Sequence, residues 1–539
     1  MPHVIHGSER RPLVSGRLLY DEADQLSVIV PASCKRTGRC HECVVEVRRG
    51  GEQLSPRTAE ETFLGPMFRL ACQARVEGTE RDVEFAVLRR RLRILLAPEA
   101  AGETPQLDPT VTVVDGRFRG DDGSDLGVAS GSPIGLAIDV GTTTVVLELV
   151  ELETGRVLAV VGIENPQRFG GSDVMTRISY DGEVPGELRQ ALRRALNHEL
   201  KRLCADLGVD RRRLVDAYVV GNSTMRDMFF GLDVTPIGHI PYRSVTETDV
   251  REGRAQTTAV TRRAHEIGLL MNPQAWVTGG PLIANHVGAD AAADLIAVEA
   301  VARGGSFLLV DIGTNSEIVA SDGSRLLAAS SPAGPAFEGG GVRHGMPGAD
   351  GAIEKVQIVD GRFEISVIGD ATPEGICGSG LVDLLAELRR HEWMTNRGTF
   401  LDKAYELLVE PERPITFSRA DVGHLSIAKA ATAVGQRVLL RQLGLAPEDL
   451  DAVYLAGGFA NAIDTASAFD IGLLVPVPEE RVFRVGNASI AGARALLLAR
   501  CRRTELDGLV RRIKHVELES EPDFFDLFTD GCLFEPIAV

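Results

Sequence analysis

Gly135-Leu-Ala-Ile-Asp139-Val-Gly141-Thr142-Thr143-Thr144-Val-Val-Leu-Glu-Leu149 is an apolar run, a polar glycine turn and a second apolar run. The phrase returns 172 residues on as Phe307-Leu-Leu-Val-Asp311-Ile-Gly313-Thr314-Asn315-Ser316-Glu317-Ile-Val-Ala320. Each copy reads as strand, tight turn, strand, and the recurrence predicts two similar lobes. Glycine in such a turn lets consecutive backbone N–H groups face an anion. The threonine hydroxyls add donors, and an Asp at a strand end suits Mg2+, which takes hard oxygen ligands. Two hairpins of this kind across a cleft would clamp a triphosphate from both sides. A third turn, Val453-Tyr-Leu-Ala-Gly457-Gly458-Phe459-Ala-Asn461, would let backbone lie close against an adenosine. A fourth, Gly375-Ile-Cys377-Gly378-Ser379-Gly380-Leu381, opens a helix through Leu388. Taken singly these are ordinary turns; three in this order, each after an apolar strand, carry weight together.

Outward toward the N-terminus lies a different chemistry. Cys34, Cys40 and Cys43 sit in one glycine-containing loop with the spacing C-x5-C-x2-C, and Cys72 follows after 28 residues. The other four of the eight cysteines are scattered singly. Three thiols in a tight loop and one from a distant segment suit a [2Fe–2S] cluster, with two thiolates on each iron. Zinc more usually takes two CxxC pairs, and disulfides would imply an oxidising compartment. Leu26 to Val30 reads as a strand entering the loop and Cys43 to Val47 as one leaving it. His41 has no ligand role here, because four cysteines already fill the set.

Composition narrows the class. The 539 residues suggest about three or four domains, and 44% apolar with 25% charged residues is ordinary for a globular protein. A formal net charge of −18 argues against a nucleic-acid binder. Met1 to Arg10 contains no apolar signal core, and no apolar run of membrane-spanning length occurs. Reduced thiols and a cluster fit a cytoplasmic protein. Lys35, Arg36, Arg39, Arg48, Arg49, Arg69, Arg75 and the Arg89 to Arg93 run form a basic rim around the cysteine loop. Such a rim would steer an acidic redox partner or serve only as a solvated face.

The pattern divides the chain into a cluster domain at 1–92, a linker at 93–133, a first lobe at 134–300, a second at 301–515 and a tail at 516–539. The linker is rich in Gly, Pro and Asp, with one short strand at Val111 to Val114. It would give the cluster room to travel. Glu187 to Leu203, Ile427 to Leu443 and Ala488 to Leu498 carry helical apolar spacing. The aromatic, acidic tail reads as a segment wrapped on the body. Asn165, Gln167 and Asp173 are candidates for the cleft wall or for a structural turn, and Cys377 reads as a small buried residue.

The three turns resemble the ATPase fold shared by actin, Hsp70 chaperones and sugar kinases. Asp139 to Thr144 is similar to its first phosphate motif, Asp311 to Asn315 to its second, and Leu455 to Phe459 to its adenosine motif. Gly378-Ser379-Gly380-Leu381 falls where a connecting motif would lie. Neither a P-loop nor a strand–helix dinucleotide fingerprint is present. With the cysteine loop, the chain resembles the reductive activators of corrinoid proteins. Further phrases carry that likeness: Glu164-Asn-Pro-Gln167-Arg-Phe-Gly170, Val219-Val-Gly-Asn222-Ser-Thr224-Met225, Ser331-Pro-Ala-Gly334-Pro-Ala-Phe-Glu338 and Gly348-Ala-Asp350-Gly-Ala-Ile-Glu354.

The resemblance implies a multi-domain protein: a β-grasp [2Fe–2S] ferredoxin-like α+β domain, a linker, then a two-lobed α/β ATPase fold. It implies an ATP-dependent corrinoid reductase passing one electron to the Co(II) corrinoid of a methyltransferase or corrinoid protein, fed by a low-potential donor. Cys34, Cys40, Cys43 and Cys72 would hold iron, and Asp139 and Asp311 would position Mg2+ and water. Gly141, Thr142, Thr143, Thr144, Gly313, Thr314 and Asn315 would meet phosphates, with Gly378, Ser379, Gly457 and Gly458 near the nucleotide. Cys501 and Cys532 stand alone, so one cluster is expected. Alternatives are a small-molecule kinase with a redox-regulatory domain and a non-enzymatic nucleotide switch. Neither nucleic acid nor membrane is an expected partner, and a homodimer is one arrangement the sequence allows.

Overall fold

The computed structural model describes the chain except residues 1, 8, 27, 29, 31–33, 35, 89–90, 93–105, 300–302, 402–403, 459 and 539. The cluster domain is a five-stranded sheet in the order β2-β1-β5-β3-β4. Its strands are β1 (His3–His6), β2 (Glu9–Pro12), β3 (Val44–Arg49), β4 (Phe68–Leu70) and β5 (Val83–Val87), with a helix at Leu19–Gln25. β1 and β5 run parallel while β3 is antiparallel to β4 and β5. This is the expected β-grasp-like α+β unit. Leu26, Val28 and Val30 lie outside any strand, so the expected entry strand is not formed by the described residues.

One buried ion pair braces the segment that delivers Cys72. Arg69 donates to Glu61 through Nε at 2.8 Å and Nη2 at 3.1 Å, and the amides of Leu70 and Thr58 reach the same carboxylate at 2.9 Å. Burial by itself would raise the Glu61 carboxyl, but Arg69 and the two amides hold it below the usual range.

Next, β6 (Arg91–Leu92) pairs with the strand Val157–Glu164 at the edge of the first lobe. Then β7 (Val111–Val114), β8 (Arg117–Gly120) and β9 (Asp125–Val128) form a three-stranded antiparallel sheet. This corrects the linker reading over those residues: the Gly and Asp content belongs to tight hairpin turns. Asp115 and Gly116 take φ of 51° and 70°, as a two-residue hairpin requires. Trp276 and Arg263 reach back to Asp122 from the first lobe. The run from Ile94 to Leu96 lies outside the described residues.

The two lobes repeat one topology. In the first, β10 (Ile134–Val140), β11 (Thr144–Glu151) and β12 (Val157–Glu164) form an antiparallel meander. β13 (Leu214–Val220) lies parallel to β10, and β15 (Trp276–Gly279) parallel to β13, with β14 (Val260–Arg263) at the edge. In the second, β16 (Ser306–Ile312), β17 (Ser316–Asp322) and β18 (Leu326–Ser331) make the meander. Both sheets are covered by helices, so their central strands read as unbroken apolar runs; every residue of β13 is buried.

Helices form at Glu187–Asp206, Gly378–Arg390, Arg419–Leu443 and Ala488–Leu498, the third beginning ahead of Ile427, where its apolar spacing starts. The tail ends in a helix, Phe524–Gly531, packed on Arg419–Leu443, and Phe534 is buried. Among the described residues no helix is long and apolar enough to cross a membrane.

Glu61→Ala leaves Arg69 an unpaired buried cation, which costs about 3–5 kcal/mol. The expected result is loss of cluster absorbance at a denaturant concentration well below the wild-type value, with the lobes' transition unmoved.

Candidate functional site

The interlobe cleft encloses about 1380 Å3, its solvent-open mouth included, and the two glycine hairpins form its facing walls. All thirteen residues expected at the nucleotide line it: Asp139, Gly141, Thr142, Thr143, Thr144, Asp311, Gly313, Thr314, Asn315, Gly378, Ser379, Gly457 and Gly458. β10 and β16 deliver Asp139 and Asp311 one residue before their C-terminal ends, where open α/β sheets place their sites. Gly457 has φ +114° and a Cβ there would meet the Ile312 carbonyl at 2.3 Å, so only glycine fits. Phe459 lies outside the described residues.

The hairpin tips touch. Thr143 Oγ1 and Thr314 Oγ1 are 2.8 Å apart, and both donate to Glu338 Oε2, Thr143 at 2.8 Å. Two hydroxyls expected at phosphate thus converge on a carboxylate, an anion of similar demand. Asn487 donates to Asp139 at 3.2 Å, and Ser489 to Asp294 at 2.9 Å, tying the start of the helix Ala488–Leu498 to the first lobe.

Carboxylates missed by sequence reasoning crowd the floor: Asp290, Glu317 and Glu338 line the cleft, with Asp294 buried behind. Burial and the neighbouring charge of Asp139 push Asp290 up to about 8. Burial pushes Asp139 to about 7 and Asp311 to about 6. Asp294 is held well above the ordinary range by burial and the charges of Asp311 and Asp290, so it keeps a proton to share with Asp311. Among the described lining residues there is no Lys or Arg. Arg177 is the nearby guanidinium, but it is buried on the Gly171 carbonyl and the Met225 sulfur.

This donor set fits Mg2+. Several carboxylates face a cleft without side-chain cations, so a triphosphate needs a metal to meet its charge. No three acidic, His or Cys groups among the described residues converge as a ready cage. Hydrated Mg2+ held by one or two carboxylates and by phosphate is the form that matches.

Asn165, Gln167 and Asp173 stand behind the wall, not in it. The Asn165 amide donates to the Gly141 carbonyl at 2.8 Å, Gln167 to Leu188 O at 3.2 Å, and Asp173 caps the helix Val174–Glu183. Cys377 is buried at the head of Gly378–Arg390, 3.4 Å from Ser379 Oγ, as its small-residue reading expects.

In the cluster domain the cysteines stand as two neighbouring pairs. Cys34 lies beside Cys40, and Cys43 beside Cys72. The Cys43 bond lowers Cys72 to about 6, while the Cys72 bond together with burial raises Cys43. Burial would raise Cys34, but bonds from Thr37 and Cys40 bring it to about 6. Arg36, Gly38 and His41 all take positive φ, wrapping the loop around this group. Two thiol pairs inside such a wrap fit a [2Fe–2S] cluster. The basic rim is largely paired within its own domain: Arg36 with Asp21 and Asp24, Arg49 with Glu84, Arg69 with Glu61. Lys35 lies outside the described residues. His41 is no bystander; its Nδ1 is 2.7 Å from Glu187 of the first lobe.

Residues 306–537 match the family model described as the C-terminal, ASKHA domain of RACo, and residues 134–302 match the RACo middle region. The corrinoid activation enzyme RamQ of Eubacterium limosum is 31% identical over 427 residues, 74% of this chain and 70% of that one. The chain belongs to the RACo family of corrinoid activators. Residues 5–77 match the 2Fe-2S iron-sulfur cluster binding domain. A [Co(II) methylated amine-specific corrinoid protein] reductase of Methanosarcina barkeri is 24% identical over 407 residues, 70% of this chain and 72% of its own. A solved reductive activator for corrinoid, iron-sulfur protein superposes on 100% of this chain and 99% of its own, with a TM-score of 0.73 and 27% identity. As a RACo-family chain it uses a [2Fe–2S] cluster and ATP with Mg2+.

The raised carboxylates have a signed consequence. A group whose folded pKa lies above its unfolded value stabilises below the ordinary carboxylate range, and that stability is lost as pH rises through the folded value. For Asp139 and Asp290 the loss runs from the ordinary carboxylate range upward and is complete by about 7 and about 8. In chelator, the melting temperature is expected to fall from about pH 5 to about pH 8 and to level off above. Asp290→Asn should flatten that slope, and Mg2+ with ADP should restore the wild type most at the alkaline end. An unchanged slope in Asp290→Asn would assign the titration elsewhere.

Proposed function

We propose that this chain is an ATP-dependent reductive activator that delivers one electron to the Co(II) corrinoid of a methyltransferase or corrinoid protein and so regenerates Co(I). One observation carries the reading. A paired-cysteine loop and a two-hairpin nucleotide cleft occur in one chain that superposes end to end on a solved activator of this kind.

The residues divide the work. Cys34, Cys40, Cys43 and Cys72 hold the cluster, which when bound supplies a single electron. Gly141 to Thr144 and Gly313 to Asn315 grip phosphate, Asp139 and Asp311 place Mg2+ and water, and Gly457 and Gly458 let the nucleoside lie against backbone. A plant-type cluster works near about −400 mV, and each 100 mV of shortfall against the acceptor costs about 2.3 kcal/mol per electron. Differential binding of the Co(II) and Co(I) forms offsets such a gap, with nucleotide turnover separating the complex afterwards. A low-potential donor refills the cluster.

The test uses reduced donor, ATP and a Co(II) corrinoid protein, followed by the cobalt spectrum. Wild type should yield Co(I) and show ATPase activity stimulated by the acceptor. Cys34→Ser should lose the cluster absorbance and the reduction while binding an ATP analogue with unchanged affinity. Equal reactivation by Cys34→Ser would sink the electron-delivery role, and phosphorylation of a small molecule without any corrinoid protein would favour a kinase.

A further inference from the structure

The cluster domain is seated on the first lobe through a short, specific face. His41, between Cys40 and Cys43, pairs with Glu187 and stacks on Phe63 at 4.1 Å. Phe63 meets the edge of Phe169 at 5.9 Å, and Phe169 that of Tyr180 at 5.7 Å. The Tyr180 hydroxyl donates to the Phe63 carbonyl at 2.7 Å. Arg168 bridges Glu46 of β3 and Glu164 of β12. Arg168 and Phe169, the lobe's central contacts, stand on the turn Pro166–Gly170.

That turn is also fastened to the first phosphate hairpin. The Asn165 backbone N–H donates to the Thr143 carbonyl at 2.7 Å and its side-chain amide to the Gly141 carbonyl at 2.8 Å. Asn165 is wholly buried, and its Oδ1 accepts from the Gln167 backbone at 2.9 Å. Proline at the turn's start and these caps leave little slack between hairpin and dock. The hairpin position that the dock matches is the one in which the Thr143 hydroxyl lies on Glu338 and Thr314. A phosphate seated at the hairpin would compete with Glu338 for that hydroxyl.

We propose that the turn Asn165–Gly170 is a nucleotide-responsive docking site for the chain's own cluster loop: phosphate at the Gly141–Thr144 hairpin weakens the seat of His41 and Phe63. This rests on that hairpin being the phosphate site, as read above. The two arrangements are the docked domain and the released one, and both the nucleotide and the dock bias the same turn, which is what coupling between sites requires. The relation is reciprocal, so whatever undocks the cluster domain strengthens nucleotide binding by the same factor.

The test uses the full, cluster-loaded chain, a non-hydrolysable ATP analogue with Mg2+, and hydrogen exchange over residues 60–68 and 166–170. Analogue affinity is measured separately by calorimetry. Exchange in both segments should rise at least about fivefold when the analogue is bound. Phe63→Ala should show the raised exchange without analogue and bind it correspondingly more tightly. Arg168→Ala, which leaves the ferredoxin core untouched, serves if Phe63→Ala loses its cluster absorbance. Bound analogue with unchanged or slowed exchange, or wild-type affinity in both variants, overturns the proposal. An analogue that does not bind at all overturns the phosphate-site reading first, and this inference with it.

Discussion

Everything in the two-lobed body depends on the meeting of two hairpin tips. Thr143 and Thr314 belong to different sheets, yet their hydroxyls touch and share one carboxylate, Glu338. Such a contact exists only if both meanders end at the same height, which requires β10 and β16 to be matched in length and twist. Both are seven-residue strands buried on two sides. Cores that cannot deform smoothly pass a shift of one tip into its lobe as a whole. The cleft is thus a joint as much as a container.

The electrostatics of that joint follow from what was left out of it. Its described walls carry Asp and Glu with amide and hydroxyl donors but no lysine or arginine. A cleft lined with fixed cations would bind anions by itself and hold them after turnover. With carboxylates alone, binding waits on a soluble cation. Asp139, Asp290 and Asp311 are held partly protonated near neutrality by burial and mutual repulsion, a cost relieved when a divalent ion enters.

The parts legible in the sequence were those whose chemistry is local. The spacing of Cys34, Cys40 and Cys43 and the repeated Asp-x-Gly-Thr phrase lie in single loops, so backbone geometry and ligand are specified together. Asp290, Glu317 and Glu338 were not legible because only tertiary packing aims them at the cleft. Nothing in the local pattern of Asp290 separates it from an exposed helix residue. Gln167 and Asp173 were candidates for the cleft wall, but Gln167 braces a turn and Asp173 caps a helix. His41 was passed over because its partner, Glu187, lies 146 residues away. The β7–β9 sheet did carry a signal in Asp115-Gly116, a hairpin dipeptide, which was outweighed by the general Gly and Pro content of its surroundings.

The small strand β6 sets a length scale for electron delivery. By pairing Arg91 with Ile163 and Leu92 with Gly162, it anchors the chain three residues beyond Leu88, the last described residue of the cluster domain. Three residues span at most about 10 Å when extended. While β6 stays paired, a released cluster domain can pivot about the lobe's rim but cannot wander far from it. The reach of the electron is then set by a leash, not by the length of the segment that follows β6.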